Sequence, residues 1–224
     1  MKKTCLFFCA AFLFPHLYYS QTQQEIDALC NTICTSIEKS DAPSDQEKIE
    51  EAFEEHIMDF IEFHELTVVE ELMDKVYFRL QKVCGTFTTM LTNSNQSLEN
   101  GDWEIINEKP EIKLSKKEAR SFAKENGIYY FETDRKKTFV TIKGGKWIET
   151  FSDNTQSILK FKWTGDTTFD LIFIESDNIT RKNFSNPGDV YNYTLTSKED
   201  GYYYFTTSLA EGDDRVLISK FHFE

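Results

Sequence analysis

The side chains of this sequence that could do chemistry fall at few of the spacings that active sites require. His56 and His64 lie beside glutamates but are eight residues apart, whereas the helix of a zinc protease needs histidines four apart with a glutamate beside the first. The only histidine after residue 64 is His222, so no Ser–His–Asp triad is indicated. The glycine pair within residues 143–146 predicts a hairpin turn, because it lacks the spacing of a phosphate-binding loop. We therefore expect a non-enzymatic protein with no metal and no cofactor.

The cysteines offer redox chemistry, and a predicted export signal decides which of them remain. Residues 1–20 combine two lysines with an eleven-residue apolar run, which is typical of a signal peptide and too short to span a membrane. Cleavage after Ser20 would remove two of the five cysteines. We expect the exported chain to be periplasmic or secreted, where oxidising conditions favour a disulfide. The three remaining cysteines, an odd number, leave one thiol free.

The charge of the chain excludes several kinds of partner. The sequence has 38 acidic and 25 basic residues, a formal net charge of −13. Such a chain has no excess of lysine and arginine to displace phosphate counterions, so we expect no nucleic-acid partner. A content of 40% hydrophobic and 15% aromatic residues still predicts a folded protein. No stretch after residue 20 is apolar for the ~20 residues that a transmembrane helix needs.

Residues 21–97 predict a helical module. Apolar residues recur at helical spacing in three segments, of which the first spans residues 23–39 and the third residues 67–90. Ser44 with Glu47, and likewise Thr67 with Glu70, form capping boxes that open the second and third helices. Because short connections make neighbouring helices antiparallel, these segments predict an up-down-up bundle of three helices.

That bundle predicts which cysteines pair. Cys34 and Cys84 each lie about six residues from the ends of the first and third helices, so they sit at matching heights in the bundle. Cys30 lies one turn lower, and a Cys30–Cys34 bridge within one helical turn would strain the disulfide. We predict a Cys34–Cys84 disulfide with Cys30 free and buried. The alternative is three buried, unpaired thiols.

The remainder of the chain predicts strands. Residues 98–127 form a linker with a short strand at 103–106 and a helix capped by Ser115 and Glu118. Residues 128–224 form an antiparallel domain of eight strands separated by short turns. The predicted strands are 128–133, 138–142, 146–151, 157–163, 168–175, 190–197, 202–209 and 216–223. The fold class is therefore α+β, a three-helix module followed by an eight-stranded meander that can close into a barrel.

Several short motifs carry a resemblance to a protein family. They are Lys146-Trp147-Ile148-Glu149, Ser157-Ile158-Leu159-Lys160, the spaced set Trp163, Asp166, Phe169 and Leu171, Gly188-Asp189, and the pairs Cys34/Ile37 and Cys84/Phe87. With these motifs the chain resembles exported, uncharacterised proteins of Bacteroidota that join a Cys-bearing helical module to a lipocalin-like β-meander. The resemblance implies an architecture and a compartment but no activity.

The aromatic residues of the strands point to a binding site. A barrel of eight strands is either filled by side chains or holds one small ligand. The candidate lining residues are Trp147, Phe161, Trp163, Phe173, Tyr191 and Tyr193. These residues predict an exported binding module that holds a small apolar ligand. The alternative is an envelope protein with a filled barrel that binds another protein and no ligand.

Overall fold

A group of helices precedes an antiparallel barrel in this protein, which confirms the predicted fold class. The computed structural model describes residues 22–64, 69–94, 101–208 and 215–223. The first helices are α1 (Gln23–Lys39), α2 (Asp45–His64), α3 (Val69–Val83) and α4 (Gly85–Ser94). None of the helices in these described ranges is both long enough and apolar enough to cross a membrane. The predicted export signal and the predicted cap at Thr67 lie outside the described residues.

The helical module is built around the apolar stripe of α1. Ile26, Cys30 and Ile33 are buried there, and they belong to one core with apolar side chains of α2, α3 and α4. Half of the predicted capping box at Ser44 is present: Glu47 donates its backbone N–H to the Ser44 hydroxyl over 3.2 Å, and that hydroxyl donates to the Glu47 carboxylate over 2.9 Å. These contacts explain why amphipathic sequences of this kind fold as helices: the buried stripe supplies most of their stability.

The predicted disulfide is confirmed. Cys34 of α1 is bonded to Cys84, with their Cα atoms 5.6 Å apart, and Cys30 is a free, buried thiol. The third helix differs from the prediction, because it is interrupted at Cys84 instead of continuing to Met90. The Cys84 sulfur accepts the backbone N–H of Phe87 over 3.4 Å, as the side chain of a helix N-cap does, and Gly85 lowers helix propensity beside it.

The strands form a closed antiparallel barrel of eight, with a ninth strand outside it. The barrel strands are β2 (Ile128–Phe131), β3 (Lys137–Lys143), β4 (Lys146–Thr150), β5 (Gln156–Trp163), β6 (Thr168–Ser176), β7 (Val190–Glu199), β8 (Tyr202–Ser208) and β9 (Val216–His222). Each strand pairs with the next, and β9 closes the barrel where His222 pairs with Tyr129 of β2. The strand outside the barrel is β1 (Trp103–Ile106), which pairs with residues 216–219 of β9.

A short helix lies at each end of the barrel. Because consecutive strands are antiparallel, the connections after β2, β4 and β6 all lie at one end. Helix α6 (Ile179–Phe184) lies in the connection after β6, between the predicted strands 168–175 and 190–197. Helix α5 (Lys116–Phe122) precedes β2 and is held at the opposite end, where Arg120 donates to the Gly165 carbonyl over 2.9 Å. The predicted capping box at Ser115 begins α5.

The helical module is fixed to the α6 end of the barrel by a buried arginine. The Arg79 side chain on α3 is 6% exposed and donates Nε to Asp27 of α1 over 2.6 Å. Its Nη1 donates to the Asp189 carboxylate and, over 3.2 Å, to the Phe184 carbonyl. Asn186 joins the same network by donating to Asp27 over 2.9 Å. One guanidinium thus ties α1 and α3 to the connection that carries α6.

Candidate ligand-binding site in the barrel

The α5 end of the barrel interior is filled by aromatic rings. Phe122 of α5 is fully buried, and its ring centroid lies 4.8 Å from that of Phe205 and 5.1 Å from that of Tyr203. Phe169 packs 4.9 Å from Phe161 in the same core. These edge and tilted contacts are the arrangement that aromatic rings prefer in a packed interior. Helix α5 therefore acts as a plug at this end.

Polar side chains extend from the middle of the interior to its α6 end. Side chains alternate between the two faces of a strand, so Trp147 and Glu149 of β4 both face inward. Tyr130 of β2 and Tyr193 of β7 face inward by the same rule. Arg181 of α6 reaches in from the end of the barrel, where its guanidinium contacts the Tyr130 hydroxyl. We call these residues, together with Glu132, the interior polar cluster.

A chain of hydrogen bonds joins most of the cluster. Arg181 Nη2 donates to Glu132 Oε1 over 2.7 Å and to the Tyr130 hydroxyl over 3.4 Å. That hydroxyl donates to Glu149 Oε1 over 3.2 Å, and the Trp147 indole N–H donates to the same oxygen over 3.3 Å. Five side chains from three strand or turn segments and one helix are thereby held in fixed relative positions.

Within the described part of the chain, Glu149 and Tyr193 each carry a polar atom without a hydrogen-bond partner, as do Glu132 and Arg181 nearer the end of the barrel. Among the described residues, neither Glu149 Oε2 nor the Tyr193 hydroxyl has a hydrogen-bond partner, although Oε1 of the same Glu149 carboxylate has two. The Tyr193 ring itself is fixed, because it stacks on Phe169 with 5.4 Å between centroids.

Of the residues that the structure describes, the fully buried side-chain nitrogen and oxygen atoms without a partner are His56 Nε2 and Ser219 Oγ. Glu149 Oε2 and the Tyr193 hydroxyl are not among them, so solvent reaches both atoms and a ligand can bond them in its place.

The interior polar cluster is largely buried, but solvent still reaches part of it. Burial is the main cause of the raised pKa of Glu149, which nearby Arg181 lowers and Glu132 raises further. Burial also raises the pKa of Tyr193, and the Glu149 charge adds to that effect. However, 31% of the Arg181 side chain and 25% of the Glu132 side chain can still be reached by solvent. Solvent therefore reaches the cluster from the side of Arg181 and Glu132, at the α6 end of the barrel.

The structure places the six predicted lining residues in or against one barrel core. Trp147 and Tyr193 belong to the interior polar cluster, and Phe173 is buried. The other three are not members of the cluster, although the Phe161 ring stacks on Trp147 with 6.4 Å between centroids. Phe161 and Trp163 pack at the α5 end, where the Arg120 guanidinium lies 3.9 Å from the Trp163 ring centroid. The role of these six residues as a ligand lining stays a prediction.

Tyr191 is covered from the helical side. Its hydroxyl shares a 2.6 Å hydrogen bond with Ser185, and Lys82 of α3 lies 4.0 Å from the centre of its ring. Burial raises the pKa of Tyr191 to about 12. Tyr191 therefore connects the helical module to the α6 end of the barrel.

Sequence reasoning missed four members of the cluster: Tyr130, Glu132, Glu149 and Arg181. For Glu149 a signal was present, since strict alternation puts it on the same face as Trp147. For Arg181 the only local signal was Asn178, whose side chain accepts the Arg181 backbone N–H over 3.2 Å and begins α6.

Three other groups of the described chain have residue types that could do chemistry. His222 lies on the outside of the barrel, 2.8 Å from Asp102 and stacked on Tyr129 at 4.6 Å, where it anchors the segment before β1. A trio with metal-ligand spacing consists of Cys34, Glu38 and Cys84, but its two sulfurs are bonded to each other. A charged crevice of about 280 Å³ lies between α1 and α2 beside Lys39 and Glu51.

Comparisons of the chain with known protein families, with curated proteins and with solved structures find no match.

Proposed function

We propose that this protein is a non-enzymatic binding module that holds one small ligand at the interior polar cluster, toward the α6 end of its barrel. The observation that carries the proposal is the pair of unpartnered polar atoms, Glu149 Oε2 and the Tyr193 hydroxyl, inside an accessible interior. Barrels of eight strands hold single small ligands elsewhere, which supports this use of the fold. The aromatic rings around the cluster suit the apolar body of a ligand, and the two free atoms suit one polar group on it.

Export is part of the proposal. The Cys34–Cys84 disulfide supports it, because such bonds form and persist in oxidising compartments. The resemblance to exported proteins of Bacteroidota points the same way. A periplasmic or secreted binding module would meet its ligand outside the cytoplasm.

The absence of enzymatic activity is likewise proposed. Among the described residues, the groups bonded to Glu149 are Tyr130 and Trp147, which are neutral donors. No described serine, cysteine or lysine lies within hydrogen-bond distance of Glu149 to serve as a nucleophile that it could activate. The cluster is thus better suited to holding a molecule than to transforming one.

A second candidate function is favoured by apolar side chains on the outer surface. Ile174 is 39% exposed, Val190 43% and Ile179 66%, and all three lie on or beside β6 and β7. Together with the filled α5 end of the barrel, this surface fits the alternative of an envelope protein that binds another protein.

Native mass spectrometry of the protein purified from the cells that make it tests the proposal. We expect a small molecule to accompany the wild type and to be lost from Tyr193→Phe, which removes only the free hydroxyl. Tyr202→Phe is the matched control, because Tyr202 faces outward on β8. Bare protein in all three samples would contradict the proposal. A co-purifying protein that is lost from Ile174→Ser would favour the second candidate.

A further inference from the structure

We infer that the ligand of this barrel carries a protonated amine and that the Glu149 carboxylate receives it, with the Tyr193 hydroxyl as a second acceptor. The inference rests on the proposed function and names the chemical class of the ligand.

The charges of the cluster do not balance. Glu132 and Glu149 are two carboxylates, and Arg181 is the only cation that hydrogen-bonds within the cluster among the described residues. The hydrogen bonds of Arg181 go to Glu132 and to the Tyr130 hydroxyl. Glu149 therefore has no ion-pair partner of its own.

The hydrogen bonds of Glu149 leave room for one more donor. Its two neutral donors, Tyr130 and Trp147, both bond Oε1, so Oε2 is available to a ligand. A carboxylate inside a protein is costly unless a cation pairs with it. A ligand ammonium would supply that cation and would also fill the unpartnered position at Oε2.

The surroundings favour a cation over an anion. An anion that approached the free Nε and Nη1 of Arg181 would also approach the carboxylates of Glu132 and Glu149, whose charges act on the same guanidinium. An ammonium instead meets Oε2, the oxygen of Tyr193 and the faces of aromatic rings, which attract cations. The rings of Trp147 and Tyr193, which belong to the same cluster, suit an aromatic ring on the same ligand.

Three probes that share one ring separate the possible charges. We propose isothermal titration of the full chain with benzylamine, benzyl alcohol and phenylacetate, which place an ammonium, a hydroxyl or a carboxylate on the same benzyl group. We expect benzylamine to bind about tenfold or more tightly than benzyl alcohol, the ratio that one charge-assisted hydrogen bond provides. Phenylacetate is expected to bind most weakly.

Substitution of Glu149 tests whether its carboxylate is the group that binds the ammonium. Glu149→Gln keeps the shape of the side chain and should reduce the preference for benzylamine over the alcohol to about equal affinity. Glu175→Gln is the matched control, because Glu175 is exposed on β6 and its loss changes the net charge equally. It should leave the preference intact.

The outcomes separate this inference from the proposed function. Equal or tighter binding of the alcohol or the carboxylate to the wild type overturns the inference and leaves the binding function standing. An amine preference that survives Glu149→Gln also overturns it. If none of the three probes binds and no small molecule accompanies the purified protein, the proposed function fails together with the inference.

Discussion

Substitution of Arg79 by methionine tests how the helical module is attached to the barrel. Arg79→Met keeps most of the length and helix propensity of the side chain but removes the guanidinium. It leaves the carboxylates of Asp27 and Asp189 close together without their shared cation. We expect the contact between α3 and the connection that carries α6 to weaken.

The magnitude follows from burial. Removal of one partner from a buried ion pair costs ~3–5 kcal/mol. The Asp189 side chain is 17% exposed and that of Asp27 is 35% exposed, so both carboxylates can be partly rehydrated. We therefore expect a loss of about 3 kcal/mol in the free energy of unfolding, which for a chain of this size lowers the melting temperature by about 6–12 °C.

Thermal unfolding followed by circular dichroism measures this loss. Lys75→Met is the matched control on the same helix, because Lys75 pairs with the 64%-exposed Glu71 at the surface. A surface pair of this kind contributes less than ~0.5 kcal/mol. If Arg79→Met melts within about 1 °C of the Lys75→Met control, the attachment does not depend on Arg79 and the reasoning is refuted.

Three further substitutions probe the disulfide, the cluster and the plug. Cys34→Ala should lower the free energy of unfolding by about 4 kcal/mol under oxidising conditions, because the bridge closes a loop of 50 residues. Cys30→Ala should lower it less. Peptide mapping without reduction that found Cys30 joined to Cys84 would contradict the assigned disulfide. The pKa of Glu149 is raised above its ordinary value of 4.5, so the folded state holds that proton more tightly than the unfolded state and the wild type loses stability as pH rises above about 4.5. In urea unfolding from pH 4.5 to 8, Glu149→Gln should therefore gain stability relative to the wild type as pH rises. If the difference in unfolding free energy between the two proteins stays constant over this range, the assigned burial of Glu149 is contradicted. Phe122→Ala should cost about 3–5 kcal/mol in urea unfolding because the ring is fully buried, and a cost below about 1 kcal/mol would show that α5 does not plug the barrel.

The regular elements could be predicted because their apolar patterns are local. Alternation along β4 and β5, and the capping boxes at Ser44 and Ser115, identified strands and helix starts close to their observed positions. The break in the third helix could not be seen, because Leu80, Cys84 and Phe87 keep helical spacing across it and all three are buried. The predicted domain boundaries near residues 97 and 127 stay predictions.

Helix α6 could not be predicted, because its six residues carry no periodic apolar pattern. Its Asn178 cap and its packing against α3 hold it in place, and only the folded chain provides that packing. The interior polar cluster escaped prediction for the same reason. Glu149 and Arg181 come from different elements, and the closure of the barrel brings them into one cluster.

A crystal structure of the protein purified from its natural source, with no ligand added, tests the central claim most directly. We predict electron density for one small molecule in the α6 end of the barrel, with a nitrogen within hydrogen-bond distance of Glu149 Oε2 and of the Tyr193 hydroxyl. Density for water alone at both atoms, or a side chain of the protein that bonds them, would contradict the claim that this barrel binds a ligand.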